Sequence, residues 1–194
     1  MEDKINGPPV RDKLDRYVLM KTNEERRKHG LKPFKFHPRL RMMATKHSMQ
    51  MLLHGFFSHE NPYESKYRTL RNRLDDVTDK TDKGFKGFRT VGENIAKCPT
   101  LKGENRFEVR FQCGVPHFYD LHGNELPKYN EEEFAQSVVT GWMNSPGHRA
   151  NILNPDFEYL GCGCAGYKED HGDDVFIFYY YLTQNFGGGE IIKK

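Results

Sequence analysis

No apolar run in this 194-residue sequence approaches the roughly 20 residues that a membrane-spanning helix requires. Met1 to Pro9 is polar and lacks the apolar stretch of a signal peptide, which leaves open a chain that is not exported by that route or one in mature form. No Walker loop, dinucleotide fingerprint or Gly-x-Ser-x-Gly elbow occurs, so phosphate-cradling and α/β-hydrolase chemistry have no carrier. Charge of one sign is also missing. Thirty Lys and Arg face 27 Asp and Glu, and the balance of +3 with a pI of about 8.6 gives no reason to expect a nucleic-acid partner. Cysteine is sparse: Cys98, Cys113, Cys162 and Cys164 allow three full pairings. Cys162 and Cys164 lie two apart in an extended segment and point to one face, so they are poorly placed to bond each other. Cys98 and Cys113 flank a hairpin-like insert, where a bridge and two free thiols are both open readings.

Aromatic residues are present in quantity, 13% of the chain against a mean hydropathy of −0.84, and they supply the burial that one folded domain of this length needs. Residues 1–9 read as a flexible tail and 10–189 as the domain. The first helix is expected from Arg11 to His29, and the second from Pro38 to His54 on the stripe Leu40, Met43, Ala44, His47 and Met51. A short helix is expected over Ser65 to Leu74, a surface loop over Asp75 to Gly87, and a short extended segment from Val91 to Ala96. Residues 97–130 read as an inserted hairpin, with alternation from Phe107 to Cys113 and a turn at Gly123-Asn124. Asn130 and Glu133 form a capping box for a helix ending at Asn144. Strands are expected over Tyr159 to Gly166 and Val175 to Asn185, joined by a turn at Asp170 to Asp174. The second is apolar on both faces and needs cover on both. Helices on both sides of a small antiparallel sheet follow, an α+β fold.

Of the residues with chemistry, His59 and His148 stand at turns, and Glu93 follows Gly92 in the extended segment. His59 lies in Phe57-Ser58-His59-Glu60-Asn61-Pro62, Glu93 in Gly92-Glu93-Asn94-Ile95-Ala96, and His148 in Ser145-Pro146-Gly147-His148-Arg149-Ala150-Asn151. Two imidazoles and a carboxylate can bind zinc or serve acid–base chemistry, and the same three can equally be a hydrogen-bonded cluster that ties loops to the sheet. His47, on an apolar stripe, reads first as a buried histidine bonded locally. A Cys98, Cys113, His117, His122 set departs from finger spacing, and Asp170, His171, Asp173 and Asp174 read as a solvated turn.

In this order the motifs resemble the CAP superfamily of cysteine-rich secretory, antigen 5 and pathogenesis-related 1 proteins, and more closely its bacterial-type SCP domains. The resemblance is carried by His47-Ser48, Phe57-Ser58-His59, Gly92-Glu93-Asn94-Ile95-Ala96, Trp142 to Leu153, Leu160-Gly161-Cys162-Gly163 and Thr183-Gln184-Asn185-Phe186-Gly187. It implies a three-layer α-β-α sandwich and a central cleft lined by two histidines, His59 and His148, with Glu93 as the matching acid. His47, Asn144 and Ser145 are expected on the cleft lining. The second acid of the family pattern has no match, because Met143-Asn144-Ser145 stands there. The implied function is binding of zinc or another divalent cation and of a small or extended ligand (lipid, peptide, glycan or a protein partner), at an extracellular or cell-surface location, with a cytoplasmic one left open. Two alternatives stand beside it. One is a zinc-dependent peptidase or esterase using Glu93, and the other is an adhesive or signalling module acting through the 97–130 hairpin.

Overall fold

The computed structural model describes residues 12–78, 85–102, 107–113, 115–171 and 176–192. The elements run α1 (Asp12–Lys28), β1 (Lys35–Phe36), α2 (Pro38–His54), α3 (Leu70–Val77), β2 (Phe85–Pro99), β3 (Glu108–Gln112) and β4 (Val115–Tyr119). They continue with α4 (Glu131–Asn144), α5 (Pro146–Ile152), β5 (Tyr159–Asp170) and β6 (Phe176–Ile192). A 3-10 turn, Ser65–Tyr67, precedes α3. The expected tail, the start at Arg11, the centre of the expected Asp75 to Gly87 loop, and Asp173, Asp174 and Val175 lie outside the described residues.

The main sheet has the order β1-β5-β6-β2. Its three long strands are antiparallel, while the two-residue β1 runs parallel to β5, a departure from an all-antiparallel sheet. Period-two alternation sorts the side chains between two helical layers. Cys162, Cys164, Tyr180, Leu182 and Phe186 pack with Leu14 and Val18 of α1 and with Phe134, Val138 and Trp142 of α4. On the opposite face Leu40 and Met43 of α2 and Leu74 and Val77 of α3 enclose Phe85 and Phe88, while Met51 meets Ile95 and Tyr181. The α-β-α sandwich is therefore present, and each face of β6 is covered as its sequence requires.

The Gly161-Cys162-Gly163-Cys164 alternation sets the distance between layers. The thiols enter the α1–α4 core, and the glycines turn bare backbone toward α2. A Cβ on Gly161 would lie 2.0 Å from the Arg41 backbone nitrogen, and one on Gly163 2.2 Å from that of Thr45. Contact this close lets Ser48 Oγ donate to the Gly163 carbonyl at 3.0 Å and share a 2.8 Å hydrogen bond with Thr183 Oγ1.

Several boundaries differ from the sequence reading. The expected Val91 to Ala96 segment is the middle of a 15-residue strand. The helix expected over Ser65 to Leu74 is divided: Thr69 interposes a capping box with Asn72, and α3 starts after it. The hairpin turns after Cys113, with β4 as its second strand. The Gly123 turn closes a further loop, where Tyr119 bridges to Glu125. Leu101, Phe118 and Leu126 seat this segment on Ile177 of the sheet. The Cys98–Cys113 bridge is not formed, and none of the four cysteines is in a disulfide. Cys98 packs against the α4-side core, whereas Cys113 stands exposed at the hairpin tip with φ 52°.

Adding one methyl at Gly161 should separate α2 from β5. Gly161→Ala is expected to cost about 1–3 kcal/mol or more in urea unfolding. Gly141→Ala, on a helix position with nothing within 4 Å, is expected to stabilise by roughly 0.5–1 kcal/mol. Equal stability of the two variants would contradict the close-contact account.

Candidate functional site

Strand β2 is an edge of the main sheet, and unpaired edge groups must find partners. Here they find side chains of α4 and α5. The Ile95 carbonyl accepts from Trp142 Nε1 at 3.0 Å, and the Glu93 carbonyl accepts from Asn151 Nδ2 at 3.1 Å. Gly92 makes room for this docking, since a Cβ there would lie 2.8 Å from the Phe157 ring and 3.2 Å from Asn151 Oδ1. Asn94 then fixes the start of α5. Its Nδ2 donates to the His148 carbonyl (3.1 Å) and to Gln184 Oε1 (3.1 Å), and its Oδ1 accepts from Asn151 Nδ2 (2.9 Å). Gln184 continues the chain of amides by donating to Thr22 Oγ1 of α1 at 2.7 Å. His148 is thus placed by its backbone, which leaves its ring free for other contacts.

Glu93, next in the alternation, points to the opposite face. Its carboxylate is buried and fully engaged. Arg73 Nη2 donates to both oxygens, at 2.8 and 2.7 Å, and His59 Nδ1 lies 3.0 Å from Oε1. Asn185, its amide oxygen turned to the Ala44 N–H, donates to Oε2 at 3.1 Å. His47 Nε2 stands 3.7 Å from Oε1 and 3.0 Å from the Ser58 carbonyl. Arg73 Nη1 donates to the carbonyls of His59 (3.1 Å), Tyr67 (3.2 Å) and Arg68 (3.3 Å). One buried guanidinium therefore holds both the carboxylate and the loop that carries His59. Asn61 shapes that loop by accepting from the Tyr63 and Glu64 N–H groups at 2.8 and 3.1 Å.

The electrostatics follow from this packing. Burial alone would raise the Glu93 carboxyl, but the His59 hydrogen bond and the Arg73 charge outweigh it and hold the group below the ordinary carboxylate range. Burial pushes His47 down to about 4, so its ring is neutral near pH 7. His148 is lowered by burial and then by the nearby His59.

The structure thus brings His59, Glu93 and His47 into one network, with His148 beside it. His47 is buried and bonded to the Ser58 carbonyl, as its plain reading expects. Asn144 is exposed at the end of α4, and Ser145 is the half-buried joint between α4 and α5. The sequence reading overlooks Arg73 and gives Asn151 and Asn185, quoted only within motifs, no role of their own. Arg73 did carry a signal: Leu70, Arg73, Leu74 and Val77 share one helical stripe, and a cation on an apolar stripe needs a buried partner. Among the described residues no group of three His, Cys, Asp or Glu is arranged to hold a metal ion. Glu93 is committed to Arg73, and a cation there would meet the guanidinium. A zinc site that uses Glu93 does not fit this donor set. The Cys98, Cys113, His117, His122 set is not assembled either, and His117 Nδ1 pairs with Glu125 at 2.7 Å.

Comparison with known proteins agrees with the fold. The model of the cysteine-rich secretory protein family, CAP, matches residues 19–186. The chain is 31% identical over 159 residues to the uncharacterized protein YkwD of Bacillus subtilis (strain 168), covering 81% of this chain and 45% of that protein. It is 29% identical over 172 residues to the uncharacterized membrane protein YlbC of the same organism, covering 89% of this chain and 34% of that one. The chain therefore spans less than half the length of these curated relatives. A solved extracellular protein containing an SCP domain, from Bacillus anthracis, is similar with a TM-score of 0.56 and 24% identity, over 90% of this chain and 40% of that one. An outer surface protein of Borrelia burgdorferi is similar with a TM-score of 0.51 and 17% identity, over 95% and 99%. These two likenesses concern the fold.

Two expectations follow from the buried network. Arg73→Met strands the Glu93 carboxylate and should cost about 3–5 kcal/mol, most of it recovered in Arg73→Met/Glu93→Gln. Additive losses in urea unfolding would refute the pairing. His47, ordinarily at 6.5 and at about 4 in the fold, binds its proton more readily when unfolded. Its contribution is complete above pH 6.5 and is lost as the pH falls toward 4, a change of about 3 kcal/mol. His47→Gln should flatten the stability profile over that window, and an unchanged slope would contradict the assignment.

Proposed function

Because the chain belongs to the cysteine-rich secretory protein (CAP) family, we propose that it is a binding domain whose recognition centre is the cleft at the β2 edge, with His59 and His148 meeting the ligand. The observation that carries this reading is the direction of the Glu93 network. Glu93, Arg73, His47 and Asn185 are all buried, and the one exposed member is His59, whose side chain is 56% accessible. A buried ion pair adds little net stability, so its effect here is chiefly to fix geometry. With Nδ1 donating to Glu93, the His59 ring leaves its Nε2 for an incoming group.

The state of Glu93 favours binding over turnover. A general base works best with a pKa near the operating pH and an open proton-accepting oxygen. Glu93 is held low and both oxygens accept from neighbours. A divalent ion at this centre would rest on His59 and His148 alone, short of the three or four protein ligands usual for zinc. The cleft therefore suits a small or extended organic ligand better than a tightly held metal. Among the described residues no helix is long and apolar enough to cross a membrane. An extracellular or cell-surface setting is proposed from the descriptions of the solved relatives.

Zinc titration with imidazole NMR tests the centre. The expected result is weak binding that perturbs His59 and His148 together and disappears in His59→Ala/His148→Ala. Undiminished binding in the double variant rejects the assignment. Hydrolysis of p-nitrophenyl acetate that a chelator abolishes would replace binding with zinc-dependent catalysis.

A further inference from the structure

Strands β3 and β4 form a two-stranded sheet of their own. The connection between them is two residues long, so Gln112 and Val115 close it as a hydrogen-bonded pair. Bonded and non-bonded pairs alternate along an antiparallel ladder. Arg110–His117 and Glu108–Tyr119 are then bonded pairs, while the residues of Val109–Phe118 and Phe111–Pro116 turn their backbone groups outward. Two observations agree with this phase. Pro116, which has no N–H to donate, stands at an outward position, and the Phe118 carbonyl accepts from the Leu126 N–H on the far side of β4. The outer side of β4 is therefore engaged. The outer side of β3 is not: among the described residues no backbone hydrogen bond reaches Val109 or Phe111 from beyond the hairpin.

A free edge is a template for another strand, and Lys, Pro or a bulge usually blocks it. The β3 sequence, Glu108-Val109-Arg110-Phe111-Gln112, has neither Lys nor Pro, and its register with β4 runs without a shift. Its two charges are opposite in sign and share one face, with Arg110 Nη2 at 3.2 Å from Glu108 Oε2. The other face carries Phe107, Val109 and Phe111. Phe107 packs on the Phe118 ring at 5.6 Å, whereas Phe111 is 48% exposed.

The partner that fits this edge is a second copy of it. Antiparallel pairing must set outward residues opposite outward residues, which leaves three registers with long overlap. One centred on Glu108 faces Glu108 with Glu108, and one centred on Arg110 faces Arg110 with Arg110. Like charges directly opposite oppose pairing. The register centred on Val109 instead sets Glu108 opposite Arg110 twice and Phe111 opposite Phe107 twice, so charge and apolar contact select the same alignment.

We propose that the β3 edge is a self-association surface, on which two copies of the chain pair antiparallel about Val109 and join their hairpins into one four-stranded sheet. The contact is isologous and uses none of the cleft residues. Strands this short bury less than a standard interface, so the dimer is weak and transient.

Sedimentation velocity and ¹⁵N NMR on the full chain, from about 20 µM to about 1 mM with Cys113 kept reduced, test the contact. The expected result is a dimer fraction that rises with concentration and shifts the amides of Phe107, Val109 and Phe111. Glu108→Arg and Arg110→Glu should each weaken association about tenfold, since both cross-strand pairs become repulsive. An equimolar mixture of the two variants should associate as the unmodified chain does, because each strand again meets opposite charges. The double variant Glu108→Arg/Arg110→Glu should do so alone. A chain that stays monomeric at about 1 mM, single variants that associate undiminished, or a mixture and double variant that stay monomeric would each overturn the proposal. Association whose shifts fall outside residues 107–112 would overturn it in favour of another surface.

Discussion

Glu93 is a carboxylate in a place where water does not reach, and such a group must be neutralised or surrounded by donors. Arg73 supplies the charge, while His59 and Asn185 supply the further donors. This single requirement recruits four parts of the chain. The α3 helix is fixed because it carries Arg73. The loop after α2 is fixed because Arg73 also holds the His59 carbonyl. The β6 strand is engaged through Asn185, and α2 through the Ala44 N–H that Asn185 caps. The interior ion pair adds little to net stability, yet breaking it by halves is costly, so the pair enforces one arrangement of these four segments.

The second constraint is the sheet edge. An exposed edge strand invites association, and β2 is closed by side chains rather than by another strand. Trp142 and Asn151 cap the outward carbonyls of Ile95 and Glu93, and Asn94 reaches through to the His148 carbonyl. Three consecutive residues divide the labour. Gly92 yields space, Glu93 serves the α2–α3 face, and Asn94 serves the α1–α4 face. The two histidines consequently approach one another around the edge, each mounted on a different layer of the sandwich. A ligand at this point would touch both layers.

The sequence made the scaffold legible wherever one physical rule dominated. Pro38 opens α2, Asn130 and Glu133 cap α4, and the double-sided apolar pattern of β6 demands helices on both faces. The rule was insufficient where tertiary contact decides. Gly-rich and charged residues before Val91 suggested a loop, yet ladder pairing with β6 extends β2 from Phe85 to Pro99. Spacing allowed a Cys98–Cys113 bridge, but the two thiols belong to different surfaces, one packed on the core and one at a hairpin tip. At the site, His59 was identifiable from its turn, and both His59 and Glu93 from family resemblance. Arg73 was the missing partner because a lone arginine is usually solvated, and only its position on an apolar stripe distinguishes it.

That partner changes the chemistry expected of the cleft. With Glu93 read alone, a carboxylate beside two imidazoles suggests a metal ligand or a base. With Arg73 in contact, both tasks oppose its surroundings: a metal would face a guanidinium, and a proton would have to displace charge-assisted hydrogen bonds. What the carboxylate retains is the ability to orient. It accepts from His59 Nδ1, polarises the ring and leaves Nε2 outward, much as a buried carboxylate orients the histidine in acyl-transfer sites. Yet here the oriented ring has His148 beside it and no described nucleophile in hydrogen-bond contact. A ring nitrogen oriented in this way is suited to recognising a polar group on a ligand.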